Sequence, residues 1–257
     1  MAVSHSNTRN DLTWAIATLV GIIATLAVNT LSNLIPPGGQ NVGEIANTVL
    51  AGVLLTPANY AFAIWGLIYL GLIAYGIYQL RPSQRQEPTI RRVSQLLLVA
   101  CVAQIGWIFL FTLQWFSLSI LAMLAILLPL IAAYLQLGIG QQPAHRGRRW
   151  CVHYPFSIYL AWISVATVIN VASALYAAGW GGWGLSPELW TVVMMAVSGA
   201  IAALVIWQRR DIAFTLVFLW AYGAIAARHS DIPLIWGTAA IVSGLLLVGL
   251  LIRRIAP

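Results

Sequence analysis

Lysine is absent from this chain, and charged residues of every kind fill only 7% of its 257 positions. A soluble domain carries about 25% charge to cover its surface, so a water-exposed globule is excluded. Cysteine occurs twice, at Cys101 and Cys151. One falls in an apolar block and the other in a polar loop, so they give no disulfide framework. The four histidines, His5, His145, His153 and His229, lie in tails or loops, and no pair has metal-site spacing on a helix face. No P-loop, G-x-S-x-G or H-E-x-x-H motif is present, and no recognisable catalytic constellation emerges. No ionisable acid or base falls in the middle of a long apolar block, which argues against ion-coupled pumping and voltage sensing.

What is there is hydrophobic residue, 61% of the chain, in long blocks. Eight segments, near 13–35, 59–80, 93–113, 118–138, 155–178, 188–208, 211–228 and 233–252, meet or approach the length of a membrane-spanning helix. That length is about 20 residues. The first block is longer than a signal-peptide core of about 7–15 residues and predicts a retained first span. The expected fold class is all-α: a polytopic integral membrane helical bundle with both termini inside. The net charge of +7 could suggest nucleic acid, but its distribution excludes that partner. All 13 positive residues are arginines. Arg9, Arg81, Arg85, Arg91, Arg92, Arg146, Arg148, Arg149, Arg209, Arg210, Arg253 and Arg254 fall on one side of the eight-span map, and Arg228 alone on the other. This positive-inside pattern sets the orientation. Membrane lipids are expected partners; the arginines suit anionic headgroups, although orientation alone accounts for them. The lack of targeting features suggests a bacterial-type inner membrane.

Helix punctuation supports the map. Thr56–Pro57 should open span two, Pro155 span five, and Ser186-Pro187-Glu188 span six. Asp211 suits a cap on span seven, and Asp231 with Pro233 a start for span eight. Pro129 is expected to kink span four. Residues Gln114-Trp115-Phe116 leave room only for a tight hairpin between spans three and four. The outer loop 36–56 joins Pro36, Pro37, Gly38, Gly39 and Gly43 to an apolar stretch from Val49 to Leu55. Its apolar half favours a loop packed over the mouth of the bundle rather than a loose connector.

Of the twelve tryptophans, eight lie near span ends, where an interfacial belt is expected. Trp65, Trp107, Trp162 and Trp220 lie deeper. Trp65 and Trp107 should share a depth beneath the outer loop. A buried indole wants an acceptor for its N–H, and Asn29, Asn33, Gln104 and Asn170 are the candidates within spans. Such groups serve either interhelical packing or an apolar pocket with a few convergent polar groups.

Three stretches together resemble the TspO/MBR family, the translocator or tryptophan-rich sensory proteins. They are TPANYAFAIWGLIYLGLIAYGIYQ from Thr56, QIGWIFLF from Gln104, and YLAWISVATVIN from Tyr159. Pro57, Tyr60, Phe62, Trp65 and Tyr69 fill the second-helix motif. Gln104 stands for the usual Asn beside Trp107, and Trp162, Ala166 and Asn170 carry the fifth-helix signature. The span-two spacing is one residue shorter than usual and lacks a proline. The resemblance covers about 13–178, and the Asn41–Ile45 stretch suits a longer branch of the family. It implies a five-helix core over 1–178 and three additional helices over 179–257. It also implies a pocket for tetrapyrroles, sterol-like molecules or other apolar ligands, lined by these residues and Asn33, with no cofactor required beyond a bound tetrapyrrole or lipid.

The leading expectation is a receptor or carrier for an apolar small molecule. The second is a structural or assembly subunit, forming a homodimer or docking on a membrane-complex partner through spans six to eight. Gly199/Ala203 and Gly223/Ala227 would permit the close contacts. Chemistry on a bound tetrapyrrole is a third reading, with no evident acid, base or nucleophile near the pocket.

Overall fold

The computed structural model describes the backbone of residues 5–255 and the side chains of residues 11–253, so the Arg9 and Arg254 side chains lie outside the described set. The order is α1 (His5–Leu34), α2 (Val42–Asn47), a 3-10 turn (Asn59–Ala63), α3 (Ile64–Gln79), α4 (Pro82–Arg85), α5 (Pro88–Thr112) and α6 (Phe116–Gln136). It continues with α7 (Arg146–Arg148), a π-turn (Arg149–His153), α8 (Tyr154–Ala177), a 3-10 turn (Gly182–Gly184), α9 (Pro187–Arg209), α10 (Ile212–Arg228) and α11 (Pro233–Ile255). Strand is absent among the described residues.

Among the described residues, seven helices are long and apolar enough to cross a membrane. The remaining span is α10, with 17 residues. At 1.5 Å per residue it rises about 25 Å, short of a typical hydrocarbon core but at the lower limit for a span. Its partners place its ends at opposite faces. At its start, Asp211 accepts hydrogen bonds from Tyr134 (2.8 Å) and Ser157 (2.6 Å). At its far end, Arg228 donates to Asn47 Oδ1 (2.6 Å) and the Ala46 carbonyl (3.0 Å) in the outer loop. Among the described residues, α10 therefore runs from one face of the bundle to the other, as the seven longer helices do.

Paired ends confirm the alternation. On the arginine-rich face Arg91 meets Asp11 at 3.0 Å and Arg148 meets Glu87 at 2.8 Å. Gln79 donates to the Ala15 carbonyl, and Arg253 to the Trp207 carbonyl. The beginning of α1 and the end of α11 thus share that face, as the arginine pattern requires.

Local chemistry sets the boundaries. Ser186 caps α9 with Pro187 in its first turn, and Asp211 caps α10 through the Phe214 N–H. The hairpin between α5 and α6 turns at Gln114, whose φ is +62°. The α6 helix runs unbroken through Pro129. Pro155 lies in the first turn of α8, as expected, but the helical path does not start there. The helix continues back from α8 through the π-turn to Arg146. A wider turn before a proline leaves room for its ring, which an ordinary turn would push against the carbonyl four residues back. Cys101 and Cys151 are both free thiols.

The outer loop is folded. Asn41 and Glu44 form a capping box at the start of α2. Ile45, Leu50, Val53 and Leu55 are buried. Gly38 lies against Thr112, where a Cβ would overlap the carbonyl oxygen. The loop is stitched to α10 as well, because the Ala58 N–H donates to the Ala224 carbonyl at 3.0 Å.

Candidate functional site

Beneath that loop lies a cavity of about 420 Å³. Small-molecule sites commonly measure about 300–1,000 Å³. The ends of α1, α5 and α8, the entrance to α3 and the beginning of α6 form its walls, and α2 with its flanking turns forms the roof. Eight of the residues expected from the sequence line it: Asn33, Phe62, Trp65, Gln104, Trp107, Trp162, Ala166 and Asn170.

Hydrogen bonds fix the walls. Trp107 donates its indole N–H to Asn170 Oδ1 at 2.8 Å. Asn170 Nδ2 in turn donates to Ser119 Oγ at 3.0 Å, tying α5, α6 and α8 together. Deeper, Gln104 bridges two phenols. Its Nε2 donates to Tyr69 Oη at 3.0 Å, and its Oε1 accepts a short bond from Tyr159. A glutamine reaches both tyrosines from a single backbone position. Rings complete the surface: Trp65 stacks on Tyr69 with centroids 5.6 Å apart, and Phe62 meets Trp162 edge-on at 6.2 Å. Asn33 stands at the rim, donating to the Asn29 carbonyl at 2.8 Å.

Two expected residues lie elsewhere. Tyr69 is buried behind Trp65, with its hydroxyl engaged by Gln104. Tyr60 is exposed and faces the other way, with its ring 5.3 Å from Trp220. The 3-10 turn explains Tyr60: neighbours two positions apart point about 240° apart around a three-residue turn. Trp220 finds its acceptor in the Ala61 carbonyl at 3.1 Å, outside the cavity.

Sequence reasoning missed the contribution of α6. Ser119, Met123 and Ile126 form its inward face, and the latter two line the cavity. Their i, i+4, i+7 spacing puts them on one face, which a helix apolar all round does not single out. It was also missed that Glu44 would lie at the roof, where its carboxylate accepts the Asn41 N–H at 2.7 Å. Among the described residues no cluster of three or more His, Cys, Asp or Glu could hold a metal ion.

At the outer turn, His229 follows Arg228 and lies two residues before Asp231. That histidine is buried, and the Thr56 backbone contacts it. Burial and the neighbouring Arg228 charge hold its imidazole below the usual histidine pKa.

These features define a class: an integral membrane helical protein with a roofed, aromatic-lined cavity at one end of its bundle. Residues 15–252 match the family model described as TSPO-like protein. The chain therefore belongs to that family, the TspO/MBR family its motifs resemble. The match runs through all eight spans, including α9, α10 and α11. Neither the curated proteins nor the solved structures give a match.

Proposed function

We propose that this protein is a membrane receptor or carrier for an apolar ligand of the tetrapyrrole, sterol-like or isoprenoid kind, in a bacterial-type inner membrane. The observation that carries the reading is the roofed cavity itself. It offers flat aromatic walls, which stack on a planar or ring-fused ligand, and a few oriented polar groups that select among such ligands. The Trp107–Asn170–Ser119 chain keeps those walls fixed, so a ligand need not organise them. Glu44 and Asn33 at the mouth suit the polar edge of an amphipathic ligand. Family membership supports ligand binding in a membrane.

Titration with protoporphyrin IX, read by tryptophan fluorescence, tests the proposal. Saturable quenching is expected, with affinity weakened about tenfold in Trp107→Phe. Absence of saturation, or equal affinity in the variant, contradicts it.

The second reading, an assembly subunit docking through α9, α10 and α11, has narrower support. Gly199 is already filled within the molecule, packed against Val242, whereas Gly223 and Ala227 face outward. Mild-detergent pull-down discriminates: a stoichiometric partner lost in Gly223→Leu favours docking, and a lone chain counts against it.

A further inference from the structure

A second, wider cavity of about 770 Å³ opens on the opposite, arginine-rich face. It lies between the loop after α6, the π-turn before α8 and the turn joining α9 to α10. Its polar end carries Arg149 from the π-turn and Arg210 from the α9–α10 turn. Two arginines from segments far apart in sequence thus line one cavity.

The backbone there is specialised. The π-turn before Pro155 carries Arg149, and such turns are frequent at functional sites. Arg210 ends α9 with φ +53°, in the left-handed region where glycine is the usual residue. The opposing loop is held close, because a Cβ on Gly140 would overlap the Arg209 carbonyl. Asp211 also lines the cavity, but its carboxylate is engaged by Tyr134, Ser157 and the Phe214 N–H.

Gln141, Gln142, His153 and Ser157 add polar lining, and one side of the cavity is apolar and follows α8 and α10 away from the arginines. Ile158 on α8 faces Ile212 and Leu216, one turn apart on α10. A positive-inside bias accounts for arginines on this face, yet it does not require a hollow with an apolar trough below them.

We propose that this cavity binds an anionic phospholipid of the inner leaflet, with its phosphate on Arg149 and Arg210 and its first acyl carbons along Ile158, Ile212 and Leu216. Guanidinium is suited to this because its planar donor fork matches phosphate oxygens. Basic pockets between spanning helices on the cytoplasmic side bind acidic headgroups by the same chemistry. The lipid ties the α9–α10 turn to the α6–α8 face.

Native mass spectrometry of the full-length protein tests this, with phosphatidylglycerol or phosphatidylcholine added to the detergent. Phosphatidylglycerol should bind at about tenfold lower concentration. Arg149→Gln and Arg210→Gly should each remove most of that preference, whereas Arg146→Gln, outside the cavity, should keep it. Glycine suits the left-handed position, so the turn's backbone accommodates Arg210→Gly. Equal binding of the two lipids, or an equal loss in Arg146→Gln, overturns the proposal. So does inorganic phosphate binding at millimolar concentration in an Arg149-dependent way while phosphatidylglycerol shows no preference, which would make the site one for free phosphate.

Discussion

Replacing Arg228 with methionine should loosen the roof of the outer cavity while leaving the bundle folded. The side chain holds the loop through Asn47 Oδ1 at 2.6 Å, the Ala46 carbonyl at 3.0 Å and a longer contact to the Pro57 carbonyl at 3.4 Å. Hydrogen bonds to a charged group are worth about 1.5–3 kcal/mol each when well buried. Arg228 is only partly buried, so about 1 kcal/mol for each of the two shorter bonds is the better figure. Methionine keeps much of the aliphatic stem, so the loss is chiefly polar. A loss of about 2 kcal/mol raises the open population of the loop about thirtyfold. Amide hydrogen exchange reads this at the Ile45, Leu50 and Val53 N–H groups, whose acceptors all lie within the loop. Amides within α5 serve as the internal control. Loop protection unchanged within about twofold would refute the view that Arg228 fastens the roof.

Other outcomes follow from the same geometry. Gly38→Ala should displace the loop from the end of α5, because its Cβ would overlap the Thr112 carbonyl; a lower melting temperature and faster exchange at Ile45 are expected. Asn170→Ala should destabilise the bundle by about 1 kcal/mol, since it strips the Trp107 indole and Ser119 of their shared partner; reversible unfolding in mixed micelles measures it. The roof should also loosen as pH falls. His229 titrates below its unfolded value of about 6.5, chiefly through burial and then through Arg228, with Asp231 and the Thr56 backbone opposing. Above pH about 6.5 both closed and open forms are neutral, and the closed state keeps its full stability. Below it the open form takes up a proton first, so stability is lost as pH falls toward the depressed folded value. Loop protection factors, normalised to the intrinsic exchange rate at each pH, should therefore fall between about pH 7 and 5 in the parent but not in His229→Gln.

The sequence reveals the spans and their orientation because both depend on bulk properties, apolar length and the sidedness of arginine. The roofing role of loop 36–56 is legible for a similar reason: the stretch Val49–Leu55 is too apolar to remain in water. The need of an indole for an acceptor narrows the choice to Asn29, Asn33, Gln104 and Asn170, and the fold gives the Trp107 N–H to Asn170. Other features depend on geometry that residue types do not encode. Whether Tyr60 or Phe62 faces the cavity depends on a 3-10 turn rather than an α-helical entry to α3. The inward face of α6 is concealed in a helix that is apolar all round. The π-turn before Pro155 is likewise unreadable, because it arises from packing as much as from the proline. His229 reads as solvated beside Arg228 and Asp231, yet it is covered once Arg228 reaches across to the loop.

An experimental structure of the protein saturated with protoporphyrin IX tests the central claim most directly. The account predicts density beneath α2, stacked between Trp107 and Trp162, with the Arg228–Asn47 contact intact over it. Ligand seated on the lipid-facing surface, with the cavity beneath α2 holding only water, would contradict it.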